Sequence, residues 1–300
     1  MKIITDLNFQ LKNTAVCIGK FDGLHCGHRS LFSEAKRSGL ALVMLTFSFP
    51  GVPGIYSEEE KKYLAEQAGM DIMIMIPATE EFLHMKPEDF TRDILAGRCD
   101  AKKVVVGEDF CFGYQRSGDT GFLQREGKEL GFEVCVKEKL RQDGEVISST
   151  GIRKLLSEGE MGQVARRLSM PYFIQGVVET GNQIGRKMSV PTANIYPAEN
   201  KVLPPAGVYA VSVRKGEKEY AGIANLGRKP TIPGENPMGL EVWLFDYEGD
   251  LYGSQLTVFL LAFLRPEKKF PSMEELYQQI EKDVREAKEI LSQPDAGYLR

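Results

Sequence analysis

The chain carries no excess of positive charge. Its 38 lysines and arginines stand against 42 aspartates and glutamates, a formal net charge of −4. No basic field draws it to nucleic acid or to an anionic membrane. An anionic substrate must therefore be held by local devices such as backbone amides, a few cations or a metal ion. Long hydrophobic runs are missing too. The longest, Leu256 to Leu264 and broken only by Thr257, is far too short to span a bilayer and reads as a buried strand. The start, MKIITDLNFQ, lacks the apolar run of a signal peptide, and a cytoplasmic protein is expected. The 5 cysteines (Cys17, Cys26, Cys99, Cys111 and Cys135) are odd in number and contain no CxxC pair. That argues against a disulfide framework or a zinc ribbon and for a reducing compartment. GxGxxG is absent, so dinucleotide binding of the dehydrogenase kind is not indicated. Histidine occurs only 3 times, which makes its placement informative.

What is present divides the chain in two. At 300 residues two domains are expected rather than one. In the first half, apolar runs alternate with amphipathic segments. TAVCIGKF, ALVMLTFSF, DIMIMIP, KKVVVGEDF and FEVCVKEKL read as strands. HRSLFSEAKRSG, EEEKKYLAEQAG, KPEDFTRDILAG and FLQREGKELG read as helices. Runs this continuous predict a parallel sheet covered on both faces, a Rossmann-like α/β domain. From Pro171 the texture changes. YFIQGVVET, GVYAVSVRKG, KEYAGIANLG, LEVWLFDYEG and SQLTVFLLAFL, separated by Gly, Pro and Asn turns, predict an antiparallel β-barrel. SMEELYQQIEKDVREAKEIL closes the chain as a capped helix starting near Ser272. The expected domains are 1–170 and 171–300.

GKFDGLHCGHRSLF, residues 19–32, leaves an apolar strand and opens a helix. Its glycines let backbone approach a ligand closely, and the amides at a helix start favour phosphate. His25 and His28 lie at that start. Taken alone, the His pair fits a structural turn with incidental imidazoles better than a phosphate site. A metal reading through Cys26 has no further ligand cluster to support it.

GKFDGLHCGH resembles the HxGH signature of the nucleotidyltransferase superfamily. VVVGEDFCFG (104–113) and ISSTGIR (147–153) are similar to segments of the adenylyltransferase module in bacterial bifunctional riboflavin kinase/FAD synthetases, in the same order. The resemblance implies in-line attack of the FMN phosphate on the α-phosphorus of ATP, with pyrophosphate leaving. That chemistry needs stabilised phosphoryl charge more than a protein nucleophile. It implies catalytic roles for His25, His28 and Arg153. Gly19, Phe21, Asp22, Gly23, Gly27, Ser148, Ser149 and Thr150 would line the ATP phosphates, and Asp109 and Phe110 the flavin pocket. The bland alternative for Ser148, Ser149 and Thr150 is a helix N-cap. Lys20 stands where the family often has Asn, and TFSFPGVP (46–53) matches the family's TFxPxP segment imperfectly.

GRKMSVPTANI (185–195) resembles the PTAN signature of riboflavin kinase. GVYAV, ANLGRKPT, LEVWLFDYEGDLYG and FLRPEKKF follow in family order. The resemblance then covers nearly the whole chain. It implies ATP binding by Gly185 and Arg186 and magnesium (Mg2+) held by Thr192 and Asn194, which share one face if the segment is extended. Glu241 would be the base for the riboflavin hydroxyl, and Arg265, Phe263 and Phe270 would contact the flavin. Without the resemblance Glu241 fits a solvated strand face equally well. Ser189 replaces a usual glycine, Ser169-Met170 a usual Gly-Arg, and Trp243 a frequent His. The expected function is ATP-dependent conversion of riboflavin to FMN and of FMN to FAD. The expected enzyme is a monomer or weak homo-oligomer with no nucleic-acid or membrane partner. The alternatives are an FMN adenylyltransferase with a degenerate kinase domain, a flavin-binding regulator without turnover, and a nucleotidyltransferase for another substrate.

Overall fold

The apolar runs of the first half form a parallel sheet. Its strands are β1 (Lys2–Ile4), β2 (Thr14–Ile18), β3 (Ala41–Ser48), β4 (Ile72–Pro77), β5 (Ala101–Gly107) and β6 (Glu133–Lys137). Their spatial order is β1-β4-β3-β2-β5-β6, and each neighbouring pair is parallel. Helices α1 (Cys26–Lys36), α2 (Glu58–Gln67), α3 (Glu80–Leu83), α4 (Pro87–Asp89) and α5 (Thr120–Leu130) connect them. The computed structural model describes residues 1–49, 51–179, 192–228 and 237–293. The calls on Gly185, Arg186 and Ser189 lie outside the described residues.

All of β2 is buried because it lies mid-sheet between covered faces. Ile18, Leu45, Ile74 and Val106 belong to one core cluster, and burial of each such side chain contributes about 1.5–3 kcal/mol. β1 was not anticipated. It has 3 residues, of which only Ile4 is buried, too few to show a period. The helix expected over KPEDFTRDILAG starts as α4 with Pro87 in its first turn. It continues as a π-helix over Phe90–Arg98, and the Cys99 amide reaches the Ile94 carbonyl at 2.8 Å. A hairpin of β7 (Arg141–Gln142) and β8 (Glu145–Val146) precedes α6 (Ser149–Glu158).

The chain divides into two compact units, Met1–Ser149 and Thr150–Arg300. The division falls ahead of residue 170 because α7 (Met161–Leu168) packs on strands of the second unit, β9 (Tyr172–Val177) and β14 (Gln255–Pro266). Met161, Val164, Ala165 and Leu168 form its buried stripe. α7 ends on Ser169 at φ 59°, a left-handed position that favours glycine. That is a physical reason for glycine to be usual there.

The second unit is an antiparallel sheet. Between β9 and β14 in sequence lie β10 (Thr192–Ile195), β11 (Gly207–Lys215), β12 (Lys218–Arg228) and β13 (Met238–Leu244). The order is β10-β13-β12-β11-β14-β9. The sheet curls until its two edges meet at an isolated bridge between Glu179 and Asn194, where the Glu179 amide donates to the Asn194 carbonyl at 2.9 Å. Helix α8 (Met273–Ser292) is capped by Ser272, whose hydroxyl accepts from the Glu275 amide. Its apolar stripe, Ile280, Val284 and Ala287, packs with Val208, Ala210 and Ile223 of the sheet.

Candidate active sites

In an open parallel sheet, ligands bind beyond the carboxyl ends of the strands where the winding reverses. Here the reversal lies between β2 and β5, which are paired neighbours. β2 ends at Ile18 and delivers the Gly19–Gly27 turn, while β5 ends at Gly107 and delivers Asp109 and Phe110. The two segments singled out in sequence thus meet at the one place where the topology makes a crevice.

The turn is tightly held. Phe21, Gly23 and Leu24 all have positive φ (47°, 87° and 41°), and Phe21 and Leu24 are fully buried. A non-glycine residue in this region costs about 1–3 kcal/mol and persists only where packing fixes it. Asp22 ties the turn down, since its Oδ1 accepts from the Ile55 amide at 2.7 Å and its carbonyl accepts from Ser149 Oγ at 2.8 Å. Ser149 and Thr150 lie in the first turn of α6 rather than ahead of it.

His25 is the N-cap of α1. Its ring stacks on His28, with centroids 3.6 Å apart and planes 17° from parallel, while Phe21 meets His28 edge-on at 5.2 Å. A Cβ on Gly27 would lie 3.1 Å from His25 Nδ1, so glycine there leaves the imidazole its place. Burial pushes the His25 imidazole down to about 4, against the pull of the Asp22 charge. His28 is held well below its ordinary value by burial, reinforced by His25 and by the Lys61 ammonium. The Nδ1 atoms of both rings are enclosed without a hydrogen-bond partner, an unsatisfied state that a bound polar ligand would relieve. Neutral imidazoles beside the free amides of a helix start suit phosphate oxygens.

Beside them opens a cavity of about 510 Å³, lined by Gly19, His28, Asp109 and an aromatic wall of Phe47, Phe82, Phe110 and Phe112. Phe110 stacks on Phe112 at 5.3 Å. Asp109 pairs with Lys139 at 2.9 Å on an exposed edge.

The second unit has a cavity of about 400 Å³ lined by Thr192, Asn225, Glu241, Trp243, Arg265 and Phe270 among others. Strand register builds it. Asn194 lies opposite Glu241, and Glu241 opposite Asn225. In the next row Thr192 lies opposite Trp243, and Trp243 opposite Ile223. Directly paired residues share a face, with Cβ atoms about 4.5–5.5 Å apart. Thr192 and Asn194 are half-buried on one face of β10, while Ala193 and Ile195 fill the other.

The FAD synthetase family model matches residues 8–151, and the riboflavin kinase (flavokinase) model matches 168–291. The bifunctional riboflavin kinase/FMN adenylyltransferase of Escherichia coli (strain K12) is 35% identical over 289 residues, 91% of each chain. The chain belongs to the bifunctional riboflavin kinase/FMN adenylyltransferase family. The Haemophilus influenzae member is 36% identical over 295 residues, 94% of this chain and 95% of that one. A solved Streptococcus pneumoniae chain described as a macrolide-efflux protein superposes with a TM-score of 0.84 at 26% identity, covering 95% of this chain and 98% of that one. Among the described residues here, no helix is long and apolar enough to cross a membrane.

Within this family frame, the structure brings Gly19, Phe21, Asp22, Gly23, His25, Gly27, His28 and Ser149 into one turn, with Asp109 and Phe110 on the cavity beside it. Ser148 directly precedes α6, and Arg153 lies half-buried within α6. In the second unit Thr192, Asn194 and Glu241 come together. Arg265 lines that cavity, but Asp283 on α8 already holds its guanidinium, at 2.9 Å from Nε and 2.7 Å from Nη2. Phe270 lines the cavity, whereas Phe263 packs on Tyr209 at 5.2 Å. The Lys20 side chain sits over the Phe49 ring at 4.9 Å. Sequence reasoning missed Asn225, whose Nδ2 donates to Glu267 at 3.2 Å, and the Phe47 and Phe82 wall. It also missed Lys61, whose Nζ donates to the Lys20 carbonyl at 3.2 Å.

Proposed function

We infer that the chain carries out both reactions of its family, phosphorylation of riboflavin to FMN and adenylylation of FMN to FAD, with ATP and flavins as substrates at separate sites. The observation that carries this reading is that each unit has its own cavity, lined in the first by Gly19, Phe21, His28, Asp109 and Phe110 and in the second by Thr192, Glu241 and Arg265.

In the first unit the FMN phosphate oxygen attacks the α-phosphorus of ATP, and the bond to the β-phosphate breaks with its electron pair leaving on pyrophosphate. His25, His28 and the α1 amides donate to the phosphoryl oxygens. Ser148 and Ser149 stand at the start of α6, and the resemblance gives Thr150 a phosphate contact and Arg153 the part of a planar cation. The aromatic wall and Asp109 receive the flavin ring. Because α6 carries the ISSTGIR segment, the adenylylating part is assigned to residues 1–170 and the kinase part to 171–300. A fragment of residues 1–170 making FAD from FMN, beside an inactive fragment ending at Ser149, would support that assignment.

In the second unit Glu241 orients the riboflavin hydroxyl and takes its proton; the oxygen attacks the γ-phosphorus of ATP as the bond to the β-phosphate oxygen breaks, and the electron pair leaves on ADP. Thr192 and Asn194 offer a hydroxyl and an amide oxygen beside that carboxylate. This small set of hard oxygens fits magnesium, which keeps waters and phosphate oxygens as its other ligands. When bound, the ion neutralises charge on the ATP phosphates. All 5 cysteines are free, in keeping with the proposed cytoplasmic setting. The enzyme is proposed to be a monomer or weak homo-oligomer acting on small molecules, without nucleic-acid or membrane partners.

The purified chain should convert riboflavin to FMN, and supplied FMN to FAD with release of pyrophosphate, when incubated with ATP and magnesium. Chromatographic separation of the three flavins decides it. If no FAD forms from oxidised or reduced FMN, the adenylylation reading is lost, and if no FMN forms from riboflavin, the kinase reading is lost.

A further inference from the structure

The phosphate chain of ATP is strongly anionic, yet the histidine pair that would meet it is neutral. Burial holds His25 at about 4 and His28 well below its ordinary value, so neither brings charge near pH 7. The other cation of the turn, Lys20, rests its ammonium over the Phe49 ring. A positive charge is nevertheless present, because the Lys61 ammonium is close enough to depress His28.

Lys61 lies on α2, whose start is set independently of it. The Ser57 hydroxyl accepts from the Glu60 amide, and the Glu60 carboxylate accepts from the Ser57 amide. Lys61 is half-buried, and among the described residues its ammonium makes one hydrogen bond, to the Lys20 carbonyl at 3.2 Å. Thr46 Oγ1 donates to that same carbonyl at 3.0 Å, so the turn has another support there. The carboxylates in its field are engaged elsewhere: Asp22 accepts from the Ile55 amide at 2.7 Å, and Glu58 accepts from the Ser48 hydroxyl. Among the described residues Lys61 has no ion-pair partner, and an ammonium has three donors of which one is used here.

We propose that Lys61 is a further phosphate-binding residue of the adenylyl-transfer site, with its ammonium facing the part of ATP that leaves as pyrophosphate. The proposal rests on the adenylylation reading given above. Lys61 forms no covalent bond. It offsets the charge that collects on the leaving pyrophosphate while the histidines and the α1 amides hold the reacting phosphoryl group. A half-buried ammonium without a carboxylate partner costs desolvation free energy, which an anionic ligand offsets on binding. Burial lowers the Lys61 pKa, while Asp22 and Glu58 draw it back up.

The test separates charge from scaffolding. Lys61→Gln retains an N–H donor for the Lys20 carbonyl and removes the charge, and Lys61→Arg retains the charge. In the full-length protein, Lys61→Gln should lower kcat/KM for ATP in FMN adenylylation on the order of 10²-fold. It should weaken inhibition by inorganic pyrophosphate in parallel and leave riboflavin phosphorylation unchanged, while Lys61→Arg should restore most of both losses. Wild-type rate and pyrophosphate inhibition in Lys61→Gln would overturn the proposal. So would a rate loss without weaker pyrophosphate inhibition, or equal losses in both variants with a lowered unfolding midpoint. If the unmutated protein made no FAD, the reading of the site would fail separately. Calorimetric titration of wild type and Lys61→Gln with pyrophosphate would still decide whether Lys61 holds phosphate: weaker binding in the variant supports it, and equal or absent binding in both overturns it.

Discussion

His28 and Glu241 lie at the centres of the two proposed sites, which are built on opposite plans. The His28 site uses backbone. A sheet that reverses its winding opens a crevice, a turn with three positive-φ residues fills its mouth, and the start of α1 points amides at it. The Glu241 site uses side chains. Three antiparallel strands in register set Asn194, Glu241 and Asn225 in a row, and each position is decided by alternation along a strand. A backbone-built site weakens when one of its donors is removed and fails when the turn conformation changes. A register-built site tolerates changes of turn but fails when one side chain in the row is altered. The two plans suit their tasks: stabilising charge spread over phosphoryl oxygens needs many weak donors, whereas activating a hydroxyl needs one placed base.

The sharpest way to break this comparison is a crossed pair of substitutions. Glu241→Gln keeps the size of the side chain and removes the carboxylate proposed as the base. It should lower the rate of FMN formation by about 10²–10⁴-fold and leave FAD formation from supplied FMN unchanged. His28→Ala removes one donor and should lower FAD formation by about 10²–10³-fold while sparing FMN formation. Parallel loss of both activities in either variant, with the fold intact by circular dichroism, would replace two sites by one shared site or by obligatory coupling.

A smaller effect is expected at the proposed magnesium position. Thr192→Ala removes one hard oxygen while leaving Asn194 in place. The magnesium concentration giving half-maximal FMN formation should rise by roughly 10-fold, from the loss of about one charge-assisted contact. The magnesium dependence of FAD formation should not move. A titration of both activities against magnesium reads this directly, and an unchanged kinase curve would remove Thr192 from the metal set.

Legibility in the sequence follows the same divide. The parallel sheet was readable because buried central strands are continuous apolar runs, and the His25–His28 turn because it packs glycine and imidazole between a strand and a helix. Lys61 was not readable. It lies in EEEKKYLAEQ, which has the look of a charged helix face, and only tertiary packing turns one lysine toward a turn some 40 residues earlier (Lys61 to Lys20). Asn225 became a site residue only once the β12–β13 register was known. Arg265 was expected to contact flavin from the resemblance, but its ion pair with Asp283, 18 residues on in a different element, could not be read from the sequence. Local pattern reveals sites built from contiguous chain, whereas sites and ion pairs built across elements require the fold.

The smallest expected effect is one of pH, and it sharpens the comparison because it concerns the histidines alone. In the unfolded chain an imidazole takes up its proton near 6.5, whereas folded His25 does so near 4, chiefly because of burial, and His28 well below 6.5 for the same reason. His25 is therefore neutral in the folded protein throughout the range from pH 8 to 6, and burial favours the neutral form of His28 as well. If neutral donors do the work, FAD formation should change by no more than about twofold across that range from this cause. Below it, the unfolded chain binds protons that the folded first unit refuses. The contribution of His25 to stability is thus fully present above pH 6.5 and is lost as pH falls from 6.5 toward 4, and His28 contributes with the same sign. The unfolding midpoint should fall through that window, and His25→Gln, which has nothing to protonate, should fall less steeply. Thermal unfolding recorded at half-unit steps between pH 4 and 8, alongside FAD formation at each step, checks both parts. A rate that rises as the pH drops from 7 to 6 would mean that the charged imidazolium is the working form and that the enclosed, neutral pair is the wrong account of this site.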